Sequence, residues 1–509
     1  MGNKKVLVVG LARTGLAVAR FLKDRGAQVT ATDLKKKDEL GSYVQEALTM
    51  GISLELGLHE IESFTGSDII VMSPGVPHSI IPLEAARRAG IPVIGEVELA
   101  SRYIKERIVA VTGTNGKTTT THLIGKMLKA SGCSVFVGGN IGAPLIDYLN
   151  SGTHADVIVA EISSFQLDTM ESFRPKVGVL LNITEDHLDR YNNFRHYVRS
   201  KARLFKNQES ADVAILNRMD PVVCELESGI RAQKLYFNIN SDTPTQTLPI
   251  QARPARPGAT ALDGCVIPVI PVWARGATSA NQAGALENQV WARGGGQGGG
   301  ERLHGVELRG KEMICSLPGK PPVILGLAKF RLKGEHNLEN AAAASLAALV
   351  AGAGRAGIQM ALDTYEGLHH RLEYVGNVTG VQYYNDSKGT NVDAVKRCLE
   401  SFDSPVILIM GGRDKGGSYT FLKELIKRRV KRLIAIGEAR EKILNALGGL
   451  THGEGTRTLA DAVHLAHQAA APGDVVLLSP GCSSFDMFTD YAERGEAFCE
   501  AVRGLTNNE

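Results

Sequence analysis

The sequence has no run of about 18 apolar residues, so no transmembrane helix is expected. It has no CxxC pair among its seven cysteines (133, 224, 265, 315, 398, 482 and 499), and that number is odd. The thiols read as reduced, in a cytoplasmic protein. Charge of one sign is lacking too: 57 basic against 54 acidic residues leave +3, too little for the broad basic surface of a bulk nucleic-acid binder. The N-terminus enters a short strand-like run and lacks the longer apolar segment of a signal peptide. Lysine is absent from 251 to 300, a stretch that holds both tryptophans, Trp273 and Trp291, and ends in a glycine-rich run. That is the composition of a linker or insertion, spanning about 240–310. Within it Val266-Ile267-Pro268-Val269-Ile270-Pro271-Val272-Trp273 reads as a proline-interrupted edge strand, and the rest as poorly ordered.

What is present is a globular composition, 43% hydrophobic and 22% charged, over 509 residues, which fits about three domains. Short β-branched runs alternate with helical patterns almost throughout, which predicts α/β architecture with mostly parallel sheets. A first domain over 1–104 begins with the strand Val6-Leu7-Val8-Val9 and the turn Gly10-Leu11-Ala12-Arg13-Thr14-Gly15, then a helix to about Asp24. A second starts at the strand Ile108-Val109-Ala110-Val111-Thr112 and runs over 105–368, insertion included. A third, over 369–509, carries strands ending in Asn385-Asp386, Gly411-Gly412, Gly437 and Ser479-Pro480-Gly481. Such loops lie at the carboxyl ends of strands, where open α/β sheets bind ligands. The expected fold is therefore three α/β domains: Rossmann-like, then a P-loop ATPase-like parallel sheet, then Rossmann-like again.

The strongest chemical signal is Gly113-Thr114-Asn115-Gly116-Lys117-Thr118-Thr119, a glycine turn between a strand and a helix. Backbone N–H groups and the helix dipole there face an anion, Lys117 reaches phosphates, and the Thr118 hydroxyl suits Mg²⁺. The strict Walker pattern asks for glycine at 111, where the chain has Val111, so the loop is a shorter variant. The turn from Gly10 to Gly15, with Asp33 after the next strand, imitates a dinucleotide fingerprint but has Ala12 in place of the middle glycine. A nicotinamide reading rests on that turn alone; one ATP and one nucleotide-linked substrate fit two such pockets better. Glu161 follows the strand Val157-Ile158-Val159-Ala160, and Asp186-His187-Leu188-Asp189 follows another apolar strand. Singly, each reads equally as a solvated strand end or a satisfied histidine; beside a phosphate loop, the metal reading is preferred. In the third domain Asn385-Asp386-Ser387-Lys388-Gly389-Thr390-Asn391, Gly411-Gly412-Arg413-Asp414-Lys415 and Ser479-Pro480-Gly481-Cys482-Ser483-Ser484-Phe485 suit a small molecule bearing carboxylates. No histidine base accompanies Cys482 in sequence, so a thiol nucleophile is not expected.

These residues together resemble the Mur ligase family, over nearly the whole chain except about 240–310. The loop at 113–119 and Asp186-His187-Leu188-Asp189 are shared by several Mur ligases and by folylpolyglutamate synthases. Ser73-Pro74-Gly75-Val76-Pro77, Glu161-Ile162-Ser163-Ser164-Phe165-Gln166 and the runs at 385–391 and 479–485 look like the D-glutamate-adding branch. The Asp-Asn-Pro-Arg acceptor motif of the lysine- or diaminopimelate-adding relatives is not found. The resemblance implies a cytoplasmic, monomeric ligase of peptidoglycan precursor synthesis that uses ATP and Mg²⁺, at two metal sites. It would join UDP-N-acetylmuramoyl-L-alanine to D-glutamate through an acyl phosphate, the third domain closing on its ligands. It implies Gly10, Ala12, Arg13, Thr14, Gly15, Asp33, Ser73, Gly75 and Asn140 at the UDP-substrate, although Arg13 departs from the usual turn and is expected to face solvent. It implies Gly113 through Thr119, with Asn337, Asn340, Arg371, Asp386 and Lys388, at ATP. Thr390, Lys415, Ser484 and Phe485 would receive D-glutamate. Thr118 and Glu161 would hold one metal and His187 a second, helped by Lys201 as a carbamate; Lys117, Asn140, His187 and Lys201 would serve the chemistry. Two other readings stay open: an amide ligase with a different acceptor, and a non-catalytic nucleotide-binding regulator.

Overall fold

The computed structural model describes residues 1–187, 190–239 and 304–506. The proline-interrupted run at 266–273 and both tryptophans lie outside the described residues. Among the described residues the strands form three sheets, and the α/β class and mostly parallel order follow the sequence reading.

The first sheet runs, in spatial order, Ser53–Leu56, Gln28–Asp33, Lys5–Val9, Ile69–Met72, Val93–Gly95, all parallel. Its middle strands are buried on both faces, which is why Val6 to Val9 and Ile69 to Met72 read as unbroken apolar runs. The turn after Lys5–Val9 enters the helix Arg13–Lys23. Gly15 sits inside that helix because a Cβ there would lie 1.8 Å from the Gly10 carbonyl oxygen.

The central sheet has nine strands. Val135–Gly139, Val157–Glu161, Arg107–Thr112, Val177–Leu180, Val213–Asn217 and Gln233–Ile239 are parallel, and Gly305–Arg309 adds to them before an antiparallel edge of Glu312–Ser316 and Val323–Gly326. Gly305–Arg309 falls at the end of the stretch read as insertion: Val306 is fully buried, so alternation with Glu307 makes these residues sheet. Two helices cover one face, Lys117–Ala130 and Glu335–Ala351, in one apolar cluster. The run Ala341, Ala342, Ala343, Ala344 is wholly buried, and small side chains on every side let the second helix lie close to its neighbours.

The third sheet runs Glu373–Val378, Val381–Asn385, Val475–Leu478, Val406–Gly411, Val430–Ile436, His452–Gly455, parallel except for its first strand. That first strand carries no apolar alternation (Glu-Tyr-Val-Gly-Asn-Val) and is not evident from the sequence. Among the described residues no helix is long and apolar enough to cross a membrane. The six described cysteines are all unpaired.

Candidate active site

Strand Arg107–Thr112 delivers the chain into the glycine turn, and helix Lys117–Ala130 begins immediately after it. Val111 is interior to the strand and fully buried, so the loop is only the four residues between Thr112 and Lys117. Gly116 has a left-handed backbone (φ 86°), and a Cβ on it would come within 2.1 Å of Asn340 Oδ1. Lys117 folds back over the loop, donating to the Gly113 and Thr114 carbonyls at 2.9 and 2.8 Å. Burial lowers its ammonium pKa, Glu161 and Asp186 oppose that, and Arg371 and Lys415 add to it. Thr118 and Thr119 are buried in the first turn of the helix.

Glu161 ends its strand 2% exposed. Its Oε1 accepts from Asn140 Nδ2 at 2.9 Å, whereas Oε2 is buried without a partner. An orphaned carboxylate oxygen beside a phosphate loop fits a divalent cation. Among the described residues no three His, Cys, Asp or Glu side chains cluster as a ready-made metal cage. That suits Mg²⁺, which keeps waters and phosphate oxygens as most of its ligands. His187 has a left-handed backbone (φ 55°) and its ring meets Phe165 edge-on. Burial, resisted by Asp186 and reinforced by Lys415, Lys117 and Lys201, pulls its imidazole down to about 4, so it is neutral near pH 7 with a lone pair free.

Lys201 lies 1% exposed under the same loop, donating to the Gly113 carbonyl at 2.8 Å, with its ammonium 4.6 Å from the Tyr197 ring centre. Burial first and Lys117 second hold its pKa well below the ordinary lysine range. A buried amine inclined to be neutral can react with CO₂, and a carbamate there would replace two crowded cations by an ion pair.

The third domain brings three loops to this place. Asp186 joins them: Asn391 Nδ2 donates to its Oδ2 at 3.0 Å, and Lys415 Nζ lies 3.9 Å from Oδ1. Burial alone would raise the Asp186 pKa; Lys415, His187, the Asn391 bond and Lys117 together hold it low. Lys415 also donates to Thr390 Oγ1 at 3.2 Å. Ser484 is buried and Phe485 exposed at the tip of the 479–485 run. Lys388 lies 4.9 Å from the Tyr491 ring centre, lowered to about 8 by burial and by Arg371, whose own Nε is buried without a partner. Asp386 is turned inward, accepting from Leu372 N, Cys398 Sγ and Ser479 Oγ. Asn340 and Asn337 bond each other at 3.4 Å, with Thr120 Oγ1 donating to Asn340, so both brace the phosphate-loop helix. Cys482 is fully buried against Tyr419 and burial pushes its thiol up to about 11, which agrees with the exclusion of a thiol nucleophile.

The first-domain turn is closed from within. Leu11 N donates to Asp33 Oδ2 at 2.7 Å and Lys35 N to Oδ1 at 2.9 Å. Ser73 Oγ donates to the Gly10 carbonyl, Ala12 and Thr14 lie at the start of the helix, and Gly75 is exposed. Arg13 is largely exposed and pairs with Asp147 of the central domain at 3.7 Å.

Sequence reasoning singled out neither Asn182 nor Asp393, and it met Asp186 and Asn391 only inside longer runs, as a carboxylate beside the phosphate loop and as part of an acceptor loop. Asn182 clasps the Asn115 backbone from both sides, N–H to Oδ1 at 2.8 Å and Nδ2 to carbonyl at 3.1 Å. In the structure Asn391 is also the N-cap of the helix that follows it.

Residues 4–95 match the family described as Mur ligase MurD-like, N-terminal domain, residues 111–253 the Mur ligase middle domain, and residues 370–482 the Mur ligase, glutamate ligase domain. The chain is 46% identical over 503 residues to UDP-N-acetylmuramoylalanine--D-glutamate ligase of Desulfosudis oleivorans, covering 99% of this chain and 97% of that one. It is 48% identical over 503 residues to the protein of the same name from Desulfatibacillum aliphaticivorans, with 99% of each covered. These likenesses extend over the whole chain, the stretch at 240–310 included, so that stretch is not an addition peculiar to this protein. Among solved structures, the MurF ligase of Thermotoga maritima in complex with ADP shares the fold (TM-score 0.54, 15% identity), covering 94% of this chain and 96% of that one.

Proposed function

The chain belongs to the Mur ligase family, and from that premise we propose that it joins UDP-N-acetylmuramoyl-L-alanine to D-glutamate at the expense of ATP, in peptidoglycan precursor synthesis in the cytoplasm. One observation carries this beyond family membership. The acceptor-side loops of the third domain, through Lys415 and Asn391, touch Asp186 beside the phosphate loop, so a phosphorylated carboxylate and an amino acid would meet at one place.

The chemistry needs that meeting. A carboxylate is a poor electrophile until its oxygen becomes a leaving group. Its oxygen attacks the γ-phosphorus, the bond from that phosphorus to the β–γ bridging oxygen breaks, and ADP leaves. The amine of D-glutamate, having given up a proton, then attacks the acyl carbon, and the tetrahedral intermediate collapses with release of inorganic phosphate. Carboxylate and triphosphate repel each other, so Lys117 and the N–H groups at the head of its helix hold the transferring phosphoryl group against that repulsion. Glu161 and Thr118 would hold one Mg²⁺ and His187 with a carbamylated Lys201 a second; the ion supplies charge neutralisation on the phosphates. Asn140 orients Glu161 through its bond to Oε1. Thr390, Lys415, Ser484 and Phe485 would bind D-glutamate, the lysine taking a carboxylate. Arg371 and Lys388 would face the nucleotide. The turn from Gly10 to Gly15, with Asp33, Ser73 and Gly75, would seat the uridine diphosphate.

The test is phosphate release with UDP-N-acetylmuramoyl-L-alanine, ATP and a panel of acceptors. D-glutamate should be the active one; inactivity with it, alongside turnover of L-lysine, diaminopimelate or L-glutamate, overturns the acceptor assignment.

A further inference from the structure

The phosphate loop carries two polar side chains: Thr114 Oγ1 bonds within the central domain, to the Thr184 carbonyl and the Tyr197 hydroxyl, whereas Asn115 reaches out of it. The backbone of Asn115 is fixed by Asn182, but its side-chain amide reaches into the third domain. There Oδ1 accepts from Asn391 Nδ2 at 3.3 Å, and Nδ2 donates to Asp393 Oδ2 at 2.8 Å. An amide has one accepting and one donating end, so a pair of partners that supplies a donor to one and an acceptor to the other fixes its orientation. Both partners belong to the start of one helix, Val392–Glu400, for which Asn391 is the N-cap, its Oδ1 accepting from Ala394 N at 2.8 Å. One turn further on, Arg397 donates through Nε to the same Asp393 oxygen at 3.0 Å. Its guanidinium also reaches Glu339 Oε2 at 3.3 Å, back on the central domain. These three charged side chains are about one-fifth exposed (Arg397 23%, Glu339 22%, Asp393 20%), so water competes with their contacts only in part.

We propose that Asn115 and Asp393 are a positioning pair, through which the phosphate loop sets where the acceptor-binding domain sits. Thr390 precedes Asn391 in the chain and is bonded to Lys415, so whatever holds Asn391 and Asp393 holds the two residues proposed to receive the amino acid. The nucleotide side is insulated, because Asn182 keeps the loop backbone in place without help from the third domain. Loss of Asp393 should therefore weaken use of the acceptor and leave nucleotide binding intact. This rests on the ligase reading above.

The test is a double-mutant cycle on the full chain: Asn115→Ala, Asp393→Ala and both together, with Asp393→Asn as the conservative variant. The readouts are the KM for D-glutamate, kcat, the dissociation constant of a non-hydrolysable ATP analogue and the melting temperature. Each alanine variant should raise the KM for D-glutamate by about tenfold, with analogue affinity held within about twofold in Asp393→Ala. The double variant should be no worse than either single one, since the two act as a unit. Asp393→Asn keeps an acceptor oxygen at the same place and should recover most of the KM. An unchanged KM in folded Asp393→Ala, fully additive losses, or loss of analogue affinity in Asp393→Ala matching the rise in KM would each overturn the pair. If the unmodified enzyme turns over a different acceptor and not D-glutamate, the acceptor assignment fails separately. The cycle run with that acceptor should still show the same non-additivity if the pair is real.

Discussion

The two joints between the three domains are built from opposite materials. Between the first and central domains one apolar core runs without a break, from Val6, Val8 and Phe21 through Val97 and Leu99 to Ile108, Leu145 and Phe173. The linker helix Glu96–Ser101 is sewn in by two buried carboxylates. Glu98 accepts from the backbone N–H groups of Glu171, Ser172 and Phe173, and Glu96 from that of Ile146. Between the central and third domains the cores are separate, and no residue is shared among the clusters on either side. The contacts there include Asn115 to Asp393 and Asn391, Asp186 to Asn391 and Lys415, Arg397 to Glu339, and Lys333 to Tyr384. Opening the first joint would expose apolar surface; opening the second exchanges hydrogen bonds with protein for hydrogen bonds with water, at far lower cost. The closing motion expected of the third domain therefore belongs at the polar joint, and the first two domains should move as one body.

The largest effect should come from the polar joint, because the chemistry sits there. Lys117→Ala removes the cation over the phosphate loop, and kcat should fall by about 10²–10³-fold with the melting temperature little changed. Phosphate release measures the first and thermal unfolding the second. A variant that keeps full phosphate release would remove Lys117 from the chemistry. At the apolar joint the balance reverses, with stability lost before activity. Glu98→Ala leaves three backbone N–H groups, the Ser172 hydroxyl and Arg102 without their acceptor and should cost about 2–4 kcal/mol. Urea denaturation reads this, and a loss below about 1 kcal/mol would mean that water replaces the carboxylate easily and that the joint is not closed.

The contrast also separates what was legible in the sequence from what was not. The phosphate loop is local information: strand, glycine turn, lysine and helix follow one another within a dozen residues, and the turn at Gly10 is closed by Asp33 only 22 residues after Leu11. The polar joint is not local. Asn115 and Asp393 are 278 residues apart, and Asp393 sits in an ordinary amphipathic helix that offers no reason to single it out. Glu98 reads as the solvated face of a short helix, because its partners lie more than 70 residues on. Lys201, in Arg199-Ser200-Lys201-Ala202, has the composition of an exposed last turn. It drew notice by resemblance alone, and only tertiary packing puts it under Gly113. The strand Glu373–Val378 escaped because an edge strand needs no apolar alternation to pair with its neighbour.

The joints should also answer pH in opposite senses. Burial raises Glu96 from its ordinary 4.5 to about 7, with Asp147 adding to this and the Ile146 N–H opposing it. The folded protein thus holds a proton that the unfolded chain releases. That contribution is complete below about pH 4.5 and disappears as the pH rises to about 7. His336, at the polar joint beside Arg397 and Arg371, is pulled from 6.5 to about 4, chiefly by burial. It is neutral when folded, and its contribution is complete above pH 6.5 and lost as the pH falls toward 4. Glu96→Gln should flatten the decline of stability with rising pH, and His336→Asn the decline on acidification. Urea midpoints across pH 4 to 8 distinguish the two, and identical profiles for both variants would break the distinction between the joints.

The smallest effect tests whether any charge matters on the rim of the apolar joint. Arg13 and Asp147 face each other across it at 3.7 Å, with their side chains 61% and 33% exposed. A pair that open to solvent contributes at most about 0.5 kcal/mol. Arg13 is also the first residue of its own helix, where a cation opposes the helix dipole, so removing it offsets part of even that loss. Arg13→Ala should therefore leave the urea midpoint unmoved within error. It should also leave the KM for UDP-N-acetylmuramoyl-L-alanine within about twofold, because the guanidinium is held by a carboxylate and faces solvent. A several-fold rise in that KM with stability unchanged would instead give Arg13 a place on the diphosphate, and would make this rim part of the substrate site.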